Sequence, residues 1–120
     1  MRTQSKRMPM KEMKDKLKTI TKKSGKKHFV YSLECPIDRK VRWIGLSGSL
    51  ANRFQAHWYY EDRNNILKWG WILALKKFNM FTIMVMLGDF NSKTEALNYE
   101  TEMIRYYSRT NFNKNGQITD

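Results

Sequence analysis

The stretch that most constrains this chain runs from Arg42 to Trp58, Arg-Trp-Ile-Gly-Leu-Ser-Gly-Ser-Leu-Ala-Asn-Arg-Phe-Gln-Ala-His-Trp. It reads as the end of a strand, a tight turn holding Gly45 and Gly48, and a helix opening near Leu50. Ser47 and Ser49 both qualify as its N-cap, because a serine hydroxyl accepts from the orphan amide hydrogens of a first helical turn. Leu50, Phe54 and Trp58 recur at steps of four and form an apolar stripe. Arg53 and His57, also four apart, fall beside that stripe and not on the opposite face. A cation and an imidazole at the margin of a core mark a place where something is to be bound.

The flanking sequence supplies the frame. His28 to Leu33, with Phe29, Val30 and Tyr31, has the aromatic and β-branched content of a strand. Cys35 to Lys40 is a turn, since Pro36 fixes its φ and Asp38 suits a turn position. Val41 to Leu46 returns, and the pair predicts an antiparallel hairpin. After a helix over residues 50–60, the polar run Glu61 to Asn65 breaks the chain. A second helix is expected over 66–78, with Ile66, Trp69, Ile72, Leu73 and Leu75 inward, although Gly70 weakens it. Phe81 to Leu87 is a near-continuous apolar run of strand length, which predicts a central, buried strand. Gly88 to Asn91 then turns the chain. The order strand, strand, helix, helix, strand, helix predicts an α+β fold, a small three-stranded, mainly antiparallel sheet flanked by helices.

The last helix carries an anomaly. Ser92-Lys93-Thr94-Glu95 is a capping box that starts it. Ala96, Leu97, Met103, Ile104 and Tyr107 define its apolar stripe, and Glu100 lies within three or four residues of the first four of them. Glu102 is rotated by about 200 degrees from Glu100 and is expected to face water. A carboxylate turned into a core is costly unless a cation meets it, so Glu100 calls for an arginine or a metal ion.

Charge narrows the class of partner. Lys and Arg number 23 against 11 Asp and Glu, for a net charge of +12 and a pI near 10.0, which favours a polyanion and, among polyanions, nucleic acid. Residues 1–27 hold 11 of the basic residues against Glu12 and Asp15 alone. They read as a basic N-terminal arm, partly helical if Met10, Met13, Leu17 and Ile20 form a stripe, and bounded by Ser24-Gly25. Lys22, Lys23, Lys26 and Lys27 are its candidate phosphate contacts; a solubilising arm is the other reading. Residues 28–120 form the expected folded domain. No apolar run reaches the roughly 18 residues of a membrane span, and no apolar segment follows the basic start as a signal peptide requires. The single Cys35 excludes an internal disulfide framework and a multi-cysteine zinc site and fits an intracellular setting.

Four pieces in order carry a resemblance. Phe29-Val30-Tyr31 and Trp43-Ile44-Gly45, the run Gly45-Leu46-Ser47 through Leu50, Arg53 and His57, and Ala96-Leu97-Asn98-Tyr99-Glu100 with Ile104 together resemble the GIY-YIG endonucleases. The resemblance implies a metal-dependent nuclease acting on double-stranded DNA, with Mg²⁺ or Mn²⁺ and no small-molecule cofactor, of the kind found in phage or mobile elements. It gives Glu100 the role of metal ligand and Arg53 that of phosphate clamp. Tyr31 becomes the base or the orienter of water, with His57 as rival or auxiliary, and Asn113 matches an asparagine near the metal or phosphate. Phe29 and Trp43 depart from the two motifs, Trp43 replacing a tyrosine with an indole that donates a hydrogen bond but cannot act as a base. The competing expectation is a scaffold that binds or inhibits without cutting.

Overall fold

The computed structural model describes residues 10–110, and side chains through residue 108. The elements are α1 (Met10–Ser24), β1 (His28–Glu34), β2 (Val41–Ser47), α2 (Leu50–Tyr59), α3 (Ile66–Lys77), β3 (Ile83–Phe90) and α4 (Lys93–Thr110). The fold is α+β, an antiparallel three-stranded sheet in the order β2-β1-β3 flanked by four helices. Asn113 lies outside the described residues.

β1 is the central strand, and its residues Phe29 to Leu33 are buried on both faces. Phe29, Tyr31 and Leu33 point to one side, where they pack with Trp43 and are covered by Leu17 of α1 and by Leu50, Ala51 and Phe54 of α2. Val30 and Ile44 point to the other side, against Ala96 of α4. Period-two alternation thus assigns neighbouring residues of one strand to two separate cores. The apolar run of β3 is not central. It occupies an edge, half-buried along its length, and continues through Gly88 and Asp89 to Phe90 because Val30 and Phe29 still pair with Gly88 and Asp89 beyond a register shift.

The hairpin turn closes through Cys35 and Lys40, with Arg39 at a φ of 61°. Ser49 is the N-cap of α2, accepting from the amide of Asn52, while Ser47 bonds the backbone of Ser49 and so stiffens the turn. Leu50, Phe54 and Trp58 are all buried. α3 sits at a different rotation from the one its apolar residues predict. Lys68, Ile72 and Leu75 face inward, Trp69 is half-buried, and Ile66 and Leu73 are exposed. The helix is apolar on most sides, so its composition alone sets no unique inner face.

The helix within the basic leader is docked. Met10, Met13 and Leu17 line the core beside α2, Gly25 ends the helix at a φ of 70°, and Ser24 Oγ donates to Asp89 of β3 at 2.6 Å. The amide of Lys27 bonds the carbonyl of Phe90. Lys22, Lys23, Lys26 and Lys27 are therefore held, exposed, where α1 meets the sheet. No helix among the described residues is long and apolar enough to cross a membrane.

Candidate active site

Gly45 faces Tyr31 directly across the β1–β2 pair. A Cβ at position 45 would run into the Tyr31 phenol, so the glycine is what lets that ring lie across the edge strand. Beside it opens a cleft of about 540 Å³ lined by Tyr31, Trp43 and Gly45 from the hairpin, Arg53 from α2, and Leu97 and Glu100 from α4. Exposed Lys27 and Lys93 also line it.

Each side chain arrives there for a local reason. The N-cap at Ser49 sets the phase of α2, so that burial of Leu50 and Phe54 leaves Arg53 exposed at the cleft. Ser92 accepts from the amide of Glu95 and starts α4, so that Ala96, fully buried on the sheet, brings Glu100 inward one turn later. Glu100 is 6 % exposed and Leu97, expected in the apolar stripe, is 44 % exposed because it forms part of the cleft wall. Glu102 is exposed, as its rotation requires.

His57 does not line this cleft. It lies behind Tyr31, in a smaller hollow of about 210 Å³ that shares Trp43 and Arg53 with the cleft as a common wall. Its Nε2 is 2.6 Å from the Tyr31 hydroxyl, and its Nδ1 is 2.9 Å from the Nζ of Lys68. Trp43 Nε1–H donates to the same phenolic oxygen at 3.4 Å. Lys68 is 5 % exposed, pairs with Asp62 at 3.0 Å, and holds its ammonium 4.6 Å from the Trp43 ring centroid. Burial, followed by the charges of Lys68 and Arg53, pushes the His57 imidazole down to about 3. It is therefore neutral at ordinary pH. Burial raises the Asp62 carboxyl, but the Lys68 hydrogen bond and charge and the amides of Asn64 and Asn65 bring it net below its usual value.

Of the residues read from sequence, the structure brings Tyr31, Arg53 and Glu100 to one cleft and sets His57 behind the phenol. Lys68 and Asp62 were missed. A signal for Lys68 was present, since Lys68, Ile72 and Leu75 stand at i, i+4 and i+7, the same interruption of a stripe that marks Glu100, whereas Asp62 sits in a polar run with no such mark.

Glu100 is the candidate ligand for a divalent ion. Glu100 is the one carboxylate among the described residues lining the cleft, and among the described residues no three His, Cys, Asp or Glu converge. An ion held by a single carboxylate completes its shell with water and substrate oxygens, a common arrangement for Mg²⁺. The flanking Arg53, Lys27 and Lys93 favour an anionic ligand beside it. In comparisons with protein-family models, curated protein sequences and solved structures, the chain matches none.

Proposed function

We propose that this chain is a metal-dependent DNA endonuclease of the GIY-YIG kind, hydrolysing phosphodiester bonds with one divalent ion, Mg²⁺ or Mn²⁺. The observation that carries the reading is the meeting of Tyr31, Arg53 and Glu100 in one cationic cleft from three separate elements, in the order the resemblance implies. Arg53 offers a planar fork of donors to a phosphate and stabilises the charge that builds on its oxygens as water attacks. The Tyr31 hydroxyl, on a residue that lines the cleft, orients that water by hydrogen bonding. His57, uncharged, supports the phenol from behind. Glu100 holds the ion, which when bound supplies charge neutralisation at the phosphate and leaving oxygens. The exposed lysines at 22, 23, 26 and 27 extend the cationic surface away from the cleft toward flanking duplex.

The test is cleavage of supercoiled plasmid in Mg²⁺ or Mn²⁺. The parent protein should nick or linearise the DNA, and Glu100→Ala should fall to the metal-free level while still binding duplex in a shift assay. A Glu100→Ala protein that cuts as well as the parent removes the assignment. Trp43 favours a second reading, a scaffold impaired in cutting that binds nucleic acid. Its indole stands within 3.4 Å of the Tyr31 oxygen, at the place where the resemblance puts a second phenol. Salt-sensitive binding with no metal-dependent product in the same assay selects that reading.

A further inference from the structure

Lys68 is a buried cation that the proposed reaction leaves without a task. It comes from the middle of the buried face of α3 and reaches three groups together: the Asp62 carboxylate at 3.0 Å, the Trp43 ring, and His57 Nδ1 at 2.9 Å. An ammonium has donors and no acceptor, so the lysine must donate to Nδ1. A neutral imidazole that accepts at Nδ1 carries its hydrogen at Nε2. Nε2 is 2.6 Å from the Tyr31 oxygen and therefore donates to it. Trp43 Nε1–H is a second donor to that atom. A phenolic oxygen that accepts from two N–H groups directs its own O–H away from both, and the ring's remaining side faces the cleft.

We infer that Lys68, held by Asp62, is a positioning residue that locks His57 as its Nε2–H tautomer and thereby turns the Tyr31 hydroxyl hydrogen away from the imidazole and toward the cleft. The inference deepens the nuclease reading where it concerns what Tyr31 does to water, while the tautomer is a property of the folded chain alone. In the opposite tautomer, Nδ1–H would confront the ammonium, two donors at hydrogen-bond distance, and Nε2 would accept the Tyr31 proton and hold it out of the cleft. Asp62 makes the arrangement specific: its carboxylate pairs with the Lys68 ammonium at 3.0 Å and fixes the direction from which that ammonium meets the ring.

The experiment is ¹⁵N spectroscopy of histidine-labelled protein at about pH 7, where a neutral imidazole gives separate signals for its bare and its protonated nitrogen. The chain has two histidines, so His28→Gln assigns the His57 pair. The parent should show a neutral ring protonated at Nε2. Lys68→Met, which keeps the stem and removes the donor, should lose that preference, and Lys68→Arg should retain it. With DNA and Mg²⁺, Lys68→Met should cleave roughly 10- to 100-fold more slowly at unchanged KM, the usual scale for groups that orient a functional side chain. An Nδ1–H or charged His57 in the parent overturns the inference without any variant having to fold, as does an unchanged tautomer in Lys68→Met. Absence of cleavage by a parent whose His57 is Nε2–H overturns the nuclease reading and leaves the lock in place.

Discussion

His57 packs its imidazole between a lysine and a phenol with 7 % of its surface exposed, and acid is where that arrangement fails. Its folded value of about 3 lies below the ordinary 6.5, so between those limits the unfolded chain binds a proton that the folded chain refuses. Stability therefore rises with pH across that window and falls as pH drops through it, by up to about 1.4 kcal/mol per pH unit from this group. Lys68 from α3, Asp62 from the preceding loop, Arg53 on the same helix and Tyr31 and Trp43 from the sheet surround the ring, and of these the cations oppose its charging. His57→Gln keeps one acceptor and one donor but does not titrate. Urea unfolding at about pH 7 and about pH 4.5 should show the parent losing more stability than this variant. Parallel losses in the two proteins would count against the buried, neutral histidine. Gly45 contributes at the same scale: a residue without a side chain makes the space that the Tyr31 phenol occupies.

At the scale of elements, α1 and α3 invert what their compositions advertise. α1 is dense in lysine, yet its Leu17 is buried among Phe29, Tyr31 and Phe54. α3 is rich in large apolar residues, yet Ile66, Leu67 and Leu73 are exposed while a lysine is buried. The difference lies in phase: a lysine-rich helix docks if one narrow stripe is apolar, whereas a helix apolar nearly all round takes its rotation from whatever it meets. Leu17→Ala should thus cost about 2–5 kcal/mol, the range for a buried leucine that leaves a cavity, with Leu67→Ala within about 0.5 kcal/mol of the parent. Thermal or urea denaturation followed by circular dichroism checks both. Equal effects from the two substitutions would mean that α1 does not share the core.

For the whole molecule, the cleft exists because β2 is an edge strand between α2 on one face of the sheet and α4 on the other. A central β2 would bury Gly45 under another strand and close the path by which Arg53 and Glu100 reach a common space. The position of α1 adds cations at the same end of the sheet, through the ties of Ser24 to Asp89 and of Lys27 to Phe90. Replacing Lys22, Lys23, Lys26 and Lys27 together by glutamine should weaken duplex binding without regard to sequence. It should also lower the slope of log K against log salt by about 0.9 for each phosphate contact removed. Titrations across a salt series measure this, and an unchanged slope would place the DNA elsewhere.

Local periodicity by itself determined the hairpin, the apolar stripe of α2 with Arg53 and His57 at its edge, and the inward turn of Glu100, because each depends on residues within one or two turns of one another. It also offered a helix in the leader, from Met10, Met13, Leu17 and Ile20, although Ile20 is exposed and only the first three meet the core. Tertiary structure alone decided which strand is central, since pairing partners are distant in sequence and a run as apolar as Ile83 to Leu87 suits an edge under a helix as well as an interior. It decided the rotation of α3, and with it the burial of Lys68 against His57. The physical reason is the same in both cases: a pattern within an element says which residues share a face, and only the neighbour that packs there says which face is buried.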